Sequence, residues 1–266
     1  MKIVIIGGGN MGKTYAQSFL GSHIIRPYDL VTLERNADKH EDLRRNNIVN
    51  IETSPGNFIK ETDLIVLAVK PQDAENLYPT MKPYINENQI VLSIMAGVTV
   101  DTIEAGLGTK KVVRAMPNLP AQIGMGMTAF TANEEVTKNE LISVQNLLST
   151  TGKAIYFNNE KMLDAATAVS GSGPAYVYYF MDAMLNAAKS MGFSHSQADL
   201  LVWQTFNGSI HLHNKNTLSC AEWIARVKSK GGTTEAALNV FNNQNLNQTI
   251  SDGLQAAFDR AVELGE

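Results

Sequence analysis

Ile3-Val4-Ile5-Ile6-Gly7-Gly8-Gly9-Asn10-Met11-Gly12 is the stretch whose reading decides the fold. Four consecutive β-branched residues make a short strand that can be buried on both faces. The glycines behind them satisfy G-x-G-x-x-G, directly after a strand and opening a helix over Asn10–Leu20. Gly7 allows the tight turn, Gly9 lets backbone approach a pyrophosphate, and Gly12 lets the helix pack close to the strand. The pyrophosphate then rests on the free N–H groups of the helix N-terminus. Ile6, Gly7, Gly8, Gly9, Asn10, Met11 and Gly12 are thus the expected dinucleotide contacts at this loop. A glycine-rich turn without a ligand is the bland alternative.

Outward from this loop the chain alternates. Asp29–Leu33, Asp63–Val69 and Gln89–Ile94 are short Val/Ile/Leu-rich runs, and Lys111–Arg114, Met127–Thr131 and Ala154–Phe157 read as further strands. Polar, helix-compatible segments lie between them: Ala37–Arg45, Gln72–Tyr84 and Glu134–Ser149. This alternation predicts a parallel sheet with right-handed crossovers, an α/β Rossmann-like domain over residues 1–160. From Lys161 no strand pattern recurs. Lys161–Val169, Ala175–Met191, Ser196–Asn214, Ser219–Lys228, Thr233–Asn242 and Asn247–Leu264 all read as helices, so residues 161–266 form an all-helical second domain.

The end of the second strand selects the nucleotide. A carboxylate there holds the ribose diol of NAD, and an Arg nearby accommodates the 2′-phosphate of NADP. The tip reads Glu34-Arg35-Asn36, followed by Lys39, so the two signals conflict. With Glu34 pointing away, Arg35 and Asn36 bind a 2′-phosphate; with Glu34 pointing in, NADH is favoured. Ala68-Val69-Lys70-Pro71 closes the Asp63–Val69 strand at the edge that borders the ligand crevice of an open parallel sheet. Lys70 is there either beside the cofactor or as a solvated lysine at a strand end.

Composition excludes several classes. The 266 residues carry 22 Lys and Arg against 26 Asp and Glu, a net charge of −4, which argues against a nucleic-acid footprint. No apolar run reaches the ~20 residues that span a bilayer, so no membrane partner is expected. One cysteine, Cys220, permits no internal disulfide, and the apolar start breaks at once into glycines rather than continuing as a leader. The expectation is a cytoplasmic protein. Only 18% of residues are charged, below the usual quarter, which suits a chain that hides surface in an oligomer.

Three further segments exceed what packing needs: Arg114-Ala115-Met116-Pro117-Asn118, Ala168-Val169-Ser170-Gly171-Ser172-Gly173-Pro174-Ala175-Tyr176 and Ser229-Lys230-Gly231-Gly232-Thr233-Thr234. With Gly7–Gly12 and Val69-Lys70-Pro71 they make the chain, from about residue 1 to residue 264, resemble the pyrroline-5-carboxylate reductase family. Leu119 and Lys230 depart from the Thr and Pro of many members. The resemblance implies reduction of the cyclic imine of 1-pyrroline-5-carboxylate to L-proline, the last step of proline synthesis. It implies NADPH as cofactor with NADH the alternative, a helical domain for homodimerisation, and assembly up to a decamer. The active site is then formed between the nucleotide domain of one subunit and helices of the dimer. The same resemblance assigns Asn57 to the adenosine ribose, Ala96 and Gly97 to the nicotinamide side, and Asn118 to the cofactor with Ala68, Val69, Lys70 and Pro71.

The residues support this chemistry in their own terms. A carboxylate-bearing substrate needs an anion holder. Gly231-Gly232-Thr233-Thr234 before a helix offers converging backbone N–H groups, with Ser229 beside them. An ordinary N-cap by Thr233 or Thr234 is the alternative. Ser170–Pro174 reads as a helix start, with Ser172 or Gly173 as cap and Pro174 in the first turn. Its small residues also suit close approach to nicotinamide and substrate, and Ser172 is a substrate candidate. Hydroxyisobutyrate-type dehydrogenases carry a Lys where this chain has Val177. A protonated imine already draws hydride, so no dedicated His or Lys is required and orientation supplies much of the rate. Thr234 is the candidate for contact with the ring nitrogen. Reduction of another cyclic imine carboxylate and a silent NADPH-binding regulator are the competing readings. His211 and His213, two positions apart on a helix, face apart, and no metal site is expected. Cys220, Trp203, Phe206 and Trp223 read as packing residues.

Overall fold

A computed structural model describes residues 1–265 of the chain. They group into two compact units: residues 1–174 together with the chain from Ala257 onward, and residues 175–256. The first unit holds an eight-stranded sheet: β1 (Ile3–Ile6), β2 (Leu30–Leu33), β3 (Ile51–Glu52), β4 (Leu64–Leu67), β5 (Ile90–Ser93), β6 (Val112–Met116), β7 (Gly126–Ala132) and β8 (Gly152–Tyr156). Its spatial order is β3-β2-β1-β4-β5-β6-β7-β8. The helices of this unit are α1 (Asn10–Gly21), α2 (His40–Arg45), α3 (Pro71–Met81), α4 (Val100–Leu107), α5 (Lys138–Ser149) and α6 (Met162–Ala166).

All four residues of β1 are fully buried. Ile3 and Ile5 pack with Tyr15 and Phe19 on one face of the sheet. Val4 and Ile6 pack with Ile65 and Leu67 on the other. This is the two-sided burial that the unbroken β-branched run predicts, and each such side chain contributes roughly 1.5–3 kcal/mol. After β1 the chain builds outward through β2 and β3, then returns to the other side of β1 as β4. β1 and β4 therefore flank the point where the winding reverses, and a crevice opens there beyond the strand ends.

The sheet is not parallel throughout. β6 and β7 run antiparallel, with Val113 opposite Ala132 and Met116 opposite Ala129. The reason is the connection. Only a short 3-10 turn, Leu119–Ile123, lies between them, and a parallel neighbour needs a crossover of a dozen residues or more. α5 supplies such a crossover, so β7 and β8 are parallel again. Two elements escape the sequence reading: β3, only two residues long, and α4, eight residues with Gly106 inside it and Gly108 closing it in the left-handed region. α5 begins at Lys138 rather than Glu134, because Thr137 and Glu140 form a reciprocal capping box.

The first unit extends past the expected break at 160/161. Arg114, only 4% exposed, reaches Glu160 at 2.8 Å and Asp164 at 3.1 Å, and Leu163 is fully buried. α6 is thus pinned to β6. Beyond it the backbone widens into a π turn over Thr167–Gly171.

The second unit contains α8 (His195–Asn214), α9 (Cys220–Val227) and α10 (Thr233–Asn243), with most of α7 (Gly173–Ser190) and of α11 (Leu246–Glu263). No strand occurs among its described residues. α7, α9 and α10 bury no residue, and α8 buries only Ala198 and Val202. Tyr178, Tyr179, Leu200, Trp203, Ile210 and Val240 are all more than half exposed. No helix among the described residues is long and apolar enough to cross a membrane.

Candidate active site

The crevice at the reversal point is a cleft of about 530 Å³. Ile6, Gly7 and Gly9 form its floor, Ala68, Val69 and Lys70 one wall, and Glu34, Arg35, Asn36 and Lys39 one end. Gly7 has a φ of +109°, and a Cβ there would meet the Ala68 carbonyl oxygen at 2.7 Å. A Cβ on Gly12 would lie 1.9 Å from the Gly7 carbonyl oxygen. These two glycines are therefore fixed by packing within the protein. Gly9 differs: nothing lies within 4 Å of where its Cβ would be. It is the N-cap of α1 and no side chain caps the helix there. The first N–H groups of α1, from Asn10 and Met11, are left for a ligand. An open cradle above an uncapped helix N-terminus fits a pyrophosphate.

At the far end the open question about Glu34 resolves. Its side chain turns inward and is only 7% exposed. Oε2 accepts the Gly8 N–H at 3.1 Å and the Lys39 ammonium at 3.2 Å, and Oε1 accepts the Asn36 N–H at 2.9 Å. Arg35 is 78% exposed and pairs with Asp73 at 3.1 Å. Sequence reasoning missed Thr53, Ser54 and Pro55, which complete this end of the cleft. Their signal was faint, because the strand that delivers them, β3, is two residues long.

Other predicted contacts lie outside the lining of this cleft. Asn57 opens a 3-10 turn just past Pro55, and Pro71 is the first residue of α3 behind Lys70. Ala96 and Gly97 follow β5. Gly97 has a φ of +75°, and a Cβ there would meet the Leu264 carbonyl oxygen at 2.7 Å. The Asn118 amide is engaged by the protein itself: its Oδ1 accepts the Met127 N–H at 2.8 Å and its Nδ2 donates to the Ser170 carbonyl at 3.0 Å. Its side chain ties the β6 end to the π turn.

The Ser170–Pro174 segment corrects an expectation. Neither Ser172 nor Gly173 caps a fresh helix. The Ser172 N–H donates to the Thr167 carbonyl at 2.8 Å, so the π turn runs on towards α7. The small residues serve close packing: a Cβ on Gly171 would meet Met116 Cε at 2.7 Å.

In the helical unit, Ser229–Thr234 forms the turn that leads into α10. Gly231 has a φ of +71°, and its N–H donates to Glu235 at 2.8 Å. The Gly232 N–H donates to the Ser229 carbonyl at 3.0 Å. Gly232 is the N-cap of α10 and no side chain caps it. The ordinary N-cap by Thr233 or Thr234 is thus absent. Both threonines occupy the first turn of the helix, and their hydroxyls make no hydrogen bond among the described residues. The two glycine N–H groups are thus engaged within the turn, and the uncapped helix N-terminus with its two threonine hydroxyls is the part left open to an anion.

Comparison with known proteins agrees with this geometry. A family model described as pyrroline-5-carboxylate reductase dimerisation matches residues 160–264, and one described as NADP oxidoreductase, coenzyme F420-dependent, matches residues 2–97. The chain is 34% identical to pyrroline-5-carboxylate reductase 2 of Bacillus subtilis, covering 100% of this chain and 95% of that protein. It belongs to the pyrroline-5-carboxylate reductase family. The enzyme of that name from Pseudomonas aeruginosa is 33% identical over 100% of this chain and 97% of its own. Among solved structures, the reductase of Coxiella burnetii superposes with a TM-score of 0.91 at 32% identity, and that of Plasmodium falciparum, with NADP bound, with 0.90 at 28%. Each covers 100% of this chain and 98% of the other. Most of the large apolar side chains left exposed in a single chain lie in the region matched as a dimerisation domain.

Proposed function

We propose that this chain reduces 1-pyrroline-5-carboxylate to L-proline with NADPH, and with NADH as the alternative donor. The observation that carries the reading is the end-to-end match to pyrroline-5-carboxylate reductases in a chain that keeps both an open Gly9 cradle and an uncapped Gly232 helix start. When bound, the reduced nicotinamide supplies hydride to the imine carbon. The C=N electron pair then moves onto the ring nitrogen, which already carries its proton, and the amine of proline results.

The chain's own groups bind and orient. The α1 N-terminus and Gly7–Gly12 hold the pyrophosphate, with Ala68, Val69, Lys70 and Pro71 along the cleft wall. Arg35 and Asn36 serve the adenosine end, Asn57 the ribose, and Ala96, Gly97 and Asn118 the nicotinamide end. Gly231, Gly232 and Thr233, with Ser229 and Ser172, take the substrate carboxylate. Thr234 contacts the ring nitrogen. Holding two reactants in place accounts for much of such a rate, so no titrating side chain is needed for the hydride step.

The exposed apolar helices support a homodimer as the working unit, and a decamer of such dimers is the larger assembly the family resemblance implies. The single cysteine supports a cytoplasmic setting. The test is steady-state reduction of 1-pyrroline-5-carboxylate and of its six-membered-ring homologue, each with NADPH and with NADH. A higher kcat/KM for the five-membered ring is expected. Preference for the larger ring would reassign the substrate.

A further inference from the structure

Arg114 holds one more carboxylate than charge balance asks for. Its buried guanidinium reaches Glu160 at 2.8 Å and Asp164 at 3.1 Å, two carboxylates against one cation. Asp164 lies on α6 and by itself ties that helix to β6. Glu160 precedes α6 and does something further. The oxygen that meets Arg114, Oε1, also accepts the Val100 N–H at 3.0 Å. Val100 is the first residue of α4 and follows closely on Gly97. We propose that Glu160 is a positioning residue for hydride transfer: anchored by Arg114, its carboxylate fixes the turn over residues 96–99, against which the nicotinamide lies. This rests on the reading that Ala96 and Gly97 meet the nicotinamide of a reducing dinucleotide.

The turn has little else to hold it. Among the described residues, no backbone N–H from residue 96 to 99 donates a hydrogen bond; after Met95, Val100 is the first that does. Gly97, at a φ of +75°, is backed by the Leu264 carbonyl, 2.7 Å from where a Cβ would stand. That contact blocks retreat on one side but supplies no attraction. The first N–H of a helix has no partner within the helix, so a carboxylate there satisfies it and meets the positive end of the helix dipole.

Arg114 in turn keeps Glu160 in place, because loosening a partner of a buried guanidinium is costly. The three residues from Gly97 to Val100 span about 11 Å at full stretch, so a shift at Val100 is felt at the nicotinamide side.

The competing explanation is that Glu160 only helps Asp164 to pin α6 to β6. Stopped-flow hydride transfer to 1-pyrroline-5-carboxylate in the full-length protein separates the two, with NADPH and with NADPH deuterated at the transferred hydrogen. NADPH dissociation constants and urea midpoints are measured alongside. Glu160→Ala removes the acceptor. Val100→Pro removes the donor and leaves the Arg114 cluster whole. Proline suits the first position of a helix, and Thr99 before it is already extended, at φ −76° and ψ 161°. Each variant is expected to slow hydride transfer about tenfold, part of the ~10²-fold that a 1 Å misplacement costs, and to enlarge the deuterium effect on kcat. NADPH affinity should change by less than about threefold. Glu160→Gln keeps an acceptor oxygen and should restore most of the rate. Asp164→Asn should lower the urea midpoint and leave hydride transfer at wild-type speed. Wild-type hydride transfer in Val100→Pro or in folded Glu160→Ala would overturn the positioning role. So would equal slowing in Asp164→Asn, or a Glu160→Gln variant as slow as Glu160→Ala. A wild-type protein that binds NADPH but transfers no hydride would overturn the reductase reading itself, and this inference with it.

Discussion

Replacing Gly12 by alanine tests the physical basis of the dinucleotide loop. The new Cβ would lie 1.9 Å from the Gly7 carbonyl oxygen and 3.2 Å from Ala68 Cβ. A carbon and a carbonyl oxygen settle at about 3.3 Å, so α1 must retreat from the loop by more than an ångström. Alanine regains about 1 kcal/mol of helix propensity. Overpacking a close contact costs about 1–3 kcal/mol, and here the obstacle is backbone that cannot rotate away. The expected net loss is about 2 kcal/mol, read as a lower urea midpoint at unchanged slope. The same retreat displaces the helix N–H groups from the pyrophosphate, and a misplacement of about 1 Å is expected to reduce kcat/KM by about 10²-fold. Gly9→Ala is the control. Its Cβ meets nothing within 4 Å, so stability should stay within about 1 kcal/mol while dinucleotide affinity falls. If Gly12→Ala unfolds with the wild-type midpoint, or Gly9→Ala binds NADPH as tightly as wild type, the division of labour among these glycines is refuted.

Thr234→Ala should lower kcat with far less change in NADPH affinity, since the hydroxyl is assigned to the imine; stopped-flow hydride transfer checks this. Arg114→Met strands Glu160 and Asp164 beside a buried site and should cost about 3 kcal/mol in chemical denaturation. Burial pushes the Tyr78 phenol up to about 12, and its hydroxyl is buried without a hydrogen bond. A raised native pKa stabilises the fold below about pH 10 and loses that contribution as the pH climbs through 12, so stability should fall along that limb. Tyr78→Phe should flatten the limb and add about 1 kcal/mol at neutral pH. Tyr179, 76% exposed on α7, lies in the region matched as a dimerisation domain. Tyr179→Glu should therefore shift the sedimentation coefficient towards the monomer.

The parts of the molecule that were legible in the sequence are those whose physics is local. Four β-branched residues ahead of G-x-G-x-x-G fix β1, the turn and α1, because Gly7 and Gly12 are demanded by backbone a few positions away or in the strand beside them, while Gly9 is left open. The helical second half is legible through its periodicity. What was missed depends on distance and connection. The antiparallel β7 follows from a connection too short for a crossover, although β7 itself reads as an ordinary strand. The π turn at Thr167–Gly171 looks from sequence like a helix start, since Ser-Gly-Ser-Gly-Pro is also good capping chemistry. The two orientations open to Glu34 could not be separated until Gly8 and Asn36 were seen donating to it. Asn118 gave no local sign that its amide also ties together Met127 and Ser170, which come from separate parts of the chain. The Thr233-Thr234 pair carried the opposite ambiguity, and the structure leaves both hydroxyls uncommitted at an uncapped helix.

The central claim is that an open dinucleotide cradle and an uncapped glycine–threonine turn together serve imine reduction. The most direct measurement supplies 1-pyrroline-5-carboxylate and NADPH to the purified protein and quantifies both nucleotide oxidised and proline formed. The account predicts L-proline in one-to-one ratio with oxidised NADPH, and loss of turnover when Gly231 and Gly232 are replaced by valine. No oxidation with either NADPH or NADH, or oxidation without proline, would contradict it.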